Sequence, residues 1–137
     1  MLYITRKIHF CAAHRLYDQS LSPQENRERF GECVNLHGHS YVLEVTFAGE
    51  PDERTGMVVH LSKLDAIASE RVVRHLDHKY LNEDVAVFKD VVPTVEMLAK
   101  YVWEQLDGAV PGARLYHVRL HEDDMFFADY DGDAGKV

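Results

Sequence analysis

The stretch "CVNLHGHSY", residues 33–41, places one thiol and two imidazoles within seven residues. Neutral imidazole nitrogen is a good ligand for zinc, and a catalytic zinc keeps three protein ligands with a fourth position open. His37 and His39 share strand parity, and Gly38 keeps the opposite side clear. A third imidazole must come from elsewhere. His14, at the end of "LYITRKIHFCAAH", lies on the same parity as Ile4, Ile8, Phe10 and Ala12. Three histidines that end two core-facing strand stripes point to a metal tripod. Cys33 allows two roles. It could close the site as a fourth ligand, giving a structural Cys-His₃ centre. Alternatively it could stand beside an open metal as a proton-transfer thiol, which needs a partner. Asp77 and His78 in "LDHKYLN" are the candidate partners, because an aspartate orients an imidazole that can exchange a proton with a thiolate. Neighbours in a strand point apart, so this pair needs a turn or a helix end. Glu122 extends the apolar parity of Tyr116, Val118 and Leu120. An ionised carboxylate on such a face wants paired donors, and a planar edge offering two N–H groups supplies them.

The elements that must position these groups are legible from periodicity. Residues 2–14 and 37–47 alternate as strands. The 22-residue connection between them (15–36) carries "SPQENRERFG". Its Ser22 N-cap, Pro23 in the first turn, Glu25 as capping-box partner and Gly31 stop predict a short helix that delivers Cys33 beside His37. A second helix is expected from Ser62, with Asp65 as its box partner, to near Leu76. A third is expected over 93–106, capped by Thr94, with Leu98, Val102 and Leu106 repeating at four. Residues 114–122 and 124–130 then alternate as two final strands, and the tail "DGDAGKV" is expected to be loose. The main order is β-β-α-α-β-β. Grouped strands and helices predict an α+β fold, a four-stranded antiparallel sheet with two helices on one face.

Composition bounds the function. At 137 residues and 46% hydrophobic content, the chain is expected to form one domain, residues 1–137. No apolar run approaches the roughly 18 residues of a membrane helix, and the charged, alternating N-terminus does not read as a secretory signal. A cytoplasmic location is expected. The formal net charge of −8 argues against a nucleic-acid or membrane surface. It leaves room for an anionic substrate, because a metal ion reverses the local sign. With only two cysteines, Cys11 and Cys33, a disulfide framework is not expected. Cys11 has the opposite parity to His14 and is read as a packed or interface thiol. His9, His60, His75, His117 and His121 are read as strand-face or helix-surface residues.

In order along the chain, "HFCAAH", "GECVNLHGHSY", "TGMVVHL", "LDHKYLN", "PTVEMLAKYVW" and "LYHVRLHED" resemble the 6-pyruvoyl-tetrahydropterin synthase and 6-carboxytetrahydropterin synthase family. The resemblance implies a tunnelling fold whose trimers close into a barrel and stack in pairs, making a homohexamer. It implies zinc on His14, His37 and His39, and a catalytic trio of Cys33, Asp77 and His78 assembled across a subunit boundary. Glu122 would anchor the pterin, with Thr94 and Glu96 near its pocket. The implied substrate is 7,8-dihydroneopterin triphosphate. Three residues separate Cys33 from His37, as in the carboxy branch. The expected product is therefore 6-carboxy-5,6,7,8-tetrahydropterin, on a queuosine route with loss of triphosphate and acetaldehyde. The alternative is the pyruvoyl product of the tetrahydrobiopterin route, which "HRLYDQSLSPQENRERFGEC" and "TGMVVHLSKLD" favour. His60, Met97 and Asp123 depart from the usual patterns. Outside the family, a zinc hydrolase would leave Cys33 dispensable, and a non-catalytic structural zinc module would lose its metal with Cys33.

Overall fold

In the computed structural model, residues 1–133 are described; the end of the tail, 134–137, lies outside them. Strand β1 (Leu2–His14) and strand β2 (His37–Gly49) pair antiparallel without interruption, from Leu2 opposite Gly49 to His14 opposite His37. Their even and odd faces separate as the alternation requires. Phe10, Ala12 and His14 are buried with Tyr41, Leu43, Val45 and Phe47, whereas Lys7, His9 and Cys11 face solvent. Between them, α1 (Pro23–Phe30) carries the expected capping box: Ser22 Oγ accepts from Glu25 N–H, and Glu25 Oε1 accepts from Ser22 N–H. Gly31 ends it at φ 61°, the left-handed region that glycine enters without strain. A 3₁₀ turn (Gly31–Val34) follows and carries Cys33.

The next helix is capped two residues earlier than expected. It runs as α2 (Leu61–Ala68), a π-helical turn (Ser69–Val73) and α3 (Arg74–Leu76). His60, not Ser62, is its N-cap, with Nδ1 accepting from Ser62 N–H. Asp65 does not complete a box; it takes a two-pronged bond from Arg6 on β1. Helix α5 (Val95–Leu106) has the Thr94 cap foreseen for it, Thr94 Oγ1 accepting from Met97 N–H. Leu64, Val72 and Leu76 join Leu98, Val102 and Leu106 in one buried cluster against the sheet. Both helices therefore cover the same face.

The sheet corrects the four-stranded expectation. Its order is β3 (Lys79–Tyr80), β1, β2, β4 (Arg114–Asp123) and β5 (Phe126–Tyr130), and it is mixed. The four long strands are antiparallel. The fifth, β3, lies parallel to Ala12–Ala13, followed by the single turn α4 (Leu81–Asp84). Two residues are too few to show a period of two. A second correction concerns β4. Tyr116 was expected on the apolar face, yet it is exposed and Leu115 is buried instead. The pairing to β2 skips Tyr116, so a β-bulge there reverses the parity upstream of Val118. Among the described residues no helix is long and apolar enough to cross a membrane.

Candidate active site

The register places the tripod. His14 lies opposite His37, and Ala12 lies opposite His39, so three imidazoles gather at one end of the helix-covered face. Their ring centroids stand 4.6, 5.0 and 5.1 Å apart, and their ligand atoms lie within 4.8 Å of one another. Backbone carbonyls fix two of the rings. His14 Nδ1–H donates to Pro93 O at 2.8 Å, and His37 Nδ1–H donates to Asn35 O at 2.7 Å. Each bond fixes the tautomer and leaves Nε2 as the free lone pair, the outer arrangement typical of metal-bound histidine. Gly38 permits the close pairing, because a Cβ there would sit 3.3 Å from Ala12 O.

The residues fit a metal ion by an independent observation. His14 Nε2 is fully buried and has no hydrogen-bond partner among the described residues. A buried polar nitrogen left unpaired is costly, and an ion shared with His37 and His39 would satisfy it. Burial holds the His14 imidazole down at about 4, assisted by His37 and His39 and opposed by the Pro93 bond. It is therefore neutral, as a ligand must be, at any physiological pH.

A cavity of about 340 Å³ opens over the tripod, and Leu16, Glu32, Cys33 and Glu122 complete its wall. Cys33 borders the cavity, but its sulfur is not among the converging ligand atoms. Glu122 sits at a second bulge, where β4 passes from His121 to Asp123 without a partner for the residue between. The bulge aims its carboxylate at the tripod: Oε1 lies 3.8 Å from His14 Nε2 and 3.7 Å from His39 Nε2. Burial raises Glu122 above the ordinary carboxylate range; His39 and His37 pull it down, while Asp123 and Glu96 push it up. Glu96, exposed on the first turn of α5, is thus within electrostatic reach of Glu122. Thr94 caps that turn one residue after the carbonyl that holds His14.

Asp77 and His78 lie elsewhere. The end of α3 releases them, and His78 takes the left-handed φ of 61° that turns Asp77 and His78 toward each other. Asp77 Oδ1 lies 3.0 Å from His78 Nδ1 and accepts Cys11 N–H at 3.0 Å, which holds the carboxyl below its usual range. His78 borders a separate groove of about 570 Å³ along Cys11, Ser40 and Tyr80. Among the described residues no hydrogen bond or ion pair joins Cys33 to either member of this pair. The His78 side chain is 82% exposed, so it is free to meet a second surface. Cys11 is exposed on the outer sheet face, 3.7 Å from Ser40 Oγ, rather than packed.

Several groups around the site carried no sequence signal. The Pro93 and Asn35 carbonyls act through backbone atoms. Glu32 reads as an ordinary surface acid. Tyr41 is wholly buried with its hydroxyl unpaired among the described residues. Only the polar tip of a tyrosine inside an apolar run hinted at the last.

The model for 6-pyruvoyl tetrahydropterin synthase matches residues 3–133. A Poecilia reticulata 6-pyruvoyl tetrahydrobiopterin synthase is 44% identical over 133 residues, 96% of this chain and 90% of that one. The solved Caenorhabditis elegans 6-pyruvoyl tetrahydropterin synthase superposes with a TM-score of 0.89 at 40% identity, covering 96% of this chain and 95% of its own. A Synechocystis 6-carboxy-5,6,7,8-tetrahydropterin synthase is 35% identical over 117 residues, 82% of this chain and 81% of that one.

Proposed function

The chain belongs to the 6-pyruvoyl tetrahydropterin synthase family, and from that premise we propose that it is the pyruvoyl enzyme: a zinc-dependent lyase that converts 7,8-dihydroneopterin triphosphate to 6-pyruvoyl-tetrahydropterin and triphosphate. The observation that carries the reading is the convergence of three imidazoles, one thiol and one half-buried carboxylate on a single cavity. The product assignment reverses the carboxy expectation. The Poecilia reticulata relative that bears the pyruvoyl name is more similar and covers more of the chain than the Synechocystis relative that bears the carboxy name. The three-residue spacer weighs less, because the thiol rides on a 3₁₀ turn and connecting segments vary in length among relatives.

His14, His37 and His39 would hold the ion through Nε2. Bound there, zinc supplies Lewis-acid polarisation of the substrate's side-chain oxygens, which acidifies the adjacent C–H. Glu122 would accept two N–H groups from the amino-pyrimidinone edge of the pterin, and those donors favour the ionised carboxylate. Glu96 would act on Glu122 through its charge and Thr94 through the turn that follows Pro93; neither lines the cavity. Cys33 would move the proton between side-chain carbon and ring. Elimination then breaks the C–O bond to the triphosphate, whose oxygen leaves with the electron pair, and the enol left behind tautomerises without any external oxidant. Asp77 holds His78 with Nε2 outward, and the pair would relay protons to a Cys33 supplied by a neighbouring copy. That arrangement explains why one chain keeps the two apart, and it fits a homohexamer built from two trimers.

Substitution of the thiol tests these roles. Cys33→Ala should retain zinc at the wild-type ratio by elemental analysis, while triphosphate release falls by about a hundredfold or more, the usual scale of a lost proton-transfer group. Loss of zinc would instead favour a structural Cys-His₃ centre. Unchanged turnover would favour a hydrolase that uses the tripod alone.

A further inference from the structure

The turn between α1 and β2 is held more firmly than its exposure requires. Arg27 Nη1 donates to Glu32 Oε1 at 3.2 Å, and Asn35 Nδ2 donates to Glu32 Oε2 at 3.2 Å. The same two residues are joined through the backbone, Asn35 N–H donating to Glu32 O at 3.1 Å. Cys33 lies inside this bracket, and its own carbonyl accepts Leu16 N–H at 2.8 Å. The far end of the bracket is the Asn35 carbonyl, which accepts Nδ1–H of His37. Five hydrogen bonds thus link helix α1, the Cys33 backbone and one imidazole of the tripod.

The physical consequence is specific. A carbonyl that holds Nδ1–H must keep its direction, or the ring rotates and its Nε2 leaves the tripod. Asn35 lies outside helix and strand; Glu32 holds it through the N–H of the preceding peptide unit and through its side-chain amide, and the extended backbone of Asn35 (φ −78°, ψ 145°) then directs its carbonyl at His37. Arg27 in turn holds the Glu32 carboxylate through a charge-assisted bond. Each contact is exposed and individually weak. Their effect lies in acting together on one residue, Asn35.

We propose that Arg27, Glu32 and Asn35 form a positioning clamp that sets the His37 imidazole and the Cys33 thiol together over the tripod. Arg27 and Asn35 lie outside the cavity lining; Glu32 borders it, and its role is to hold Asn35. The clamp rests on the reading of the tripod as the zinc site, and its test separates the two. Wild type, E32A, E32Q and R27A are compared with E28A, which lies on the same helix outside the cavity. Zinc affinity is measured by competition with a chromophoric chelator, and kcat and KM by triphosphate release. E32A should weaken zinc binding about threefold to tenfold and lower kcat with KM within about twofold, below the loss typical of a direct outer-shell partner. E32Q keeps an oxygen for Asn35 and should recover most of the affinity, and R27A should fall between E32A and wild type. Zinc affinity and kcat of E32A within about twofold of E28A would overturn the clamp alone. A wild-type chain that takes up no zinc would overturn the tripod reading, and the clamp with it.

Discussion

His14 shows how one residue type is made into a ligand. Strand pairing buries it completely, the Pro93 carbonyl fixes its tautomer, and desolvation lowers its pKa to about 4. The same shift is a statement about stability. An unfolded histidine titrates near about 6.5, so the unfolded chain binds this proton first. A folded pKa below the unfolded one means that stability is complete above about 6.5 and is lost as pH falls toward about 4. The full loss is on the order of 3 kcal/mol. Urea denaturation of zinc-free protein should therefore show declining stability between pH 6.5 and 4.5, offset in part by Glu122, whose raised pKa works in the opposite sense. His14→Gln, which cannot take up a proton, should flatten most of that slope. An equally steep decline in the variant would assign the pH dependence to other groups.

Elements deliver these residues, and their caps matter as much as their periods. Thr94 closes the first turn of α5, and the preceding Pro93 carbonyl holds His14. Thr94→Ala should cost about 1 kcal/mol by chemical denaturation, the ordinary value of a side-chain N-cap. It should also weaken zinc binding, and Thr94→Ser should restore both. A T94A protein that loses stability but keeps its zinc affinity would show that the helix end does not position His14. The contrast between caps explains what was legible. Ser22-Pro-x-Glu names its capping box in sequence, because hydroxyl and carboxylate stand at the two required positions. His60 as a cap carries no such signature, and Asp65 was drawn away by Arg6, a partner 59 residues distant. Both bulges on β4 were equally silent. Parity placed Glu122 toward the core only because it counts from Val118 onward; the same count put Tyr116 on the wrong face.

At the scale of the whole molecule, the assembly of the three histidines was legible, whereas for Asp77 and His78 only their identity and their need for a turn or helix end were. The histidines end two strands that pair in full register, so local alternation was enough to bring them together. Asp77 and His78 depend on a π-helical turn, a left-handed histidine and a two-residue strand, none of which has a sequence period. Their distance from Cys33 within one chain makes a test of shared sites possible. Cys33→Ala subunits and Asp77→Asn/His78→Ala subunits should each be nearly inactive. Mixed by unfolding and refolding in equal amounts, random assembly in a symmetric oligomer should return about a quarter of wild-type turnover. No recovery would mean that thiol and relay pair come from one chain. The central claim concerns the product, where spacing and similarity pointed different ways. Its most direct test is the mass of the pterin that zinc-loaded protein forms from 7,8-dihydroneopterin triphosphate. Formation of 6-pyruvoyl-tetrahydropterin with triphosphate is the predicted result; 6-carboxytetrahydropterin with acetaldehyde, or no turnover, would contradict it.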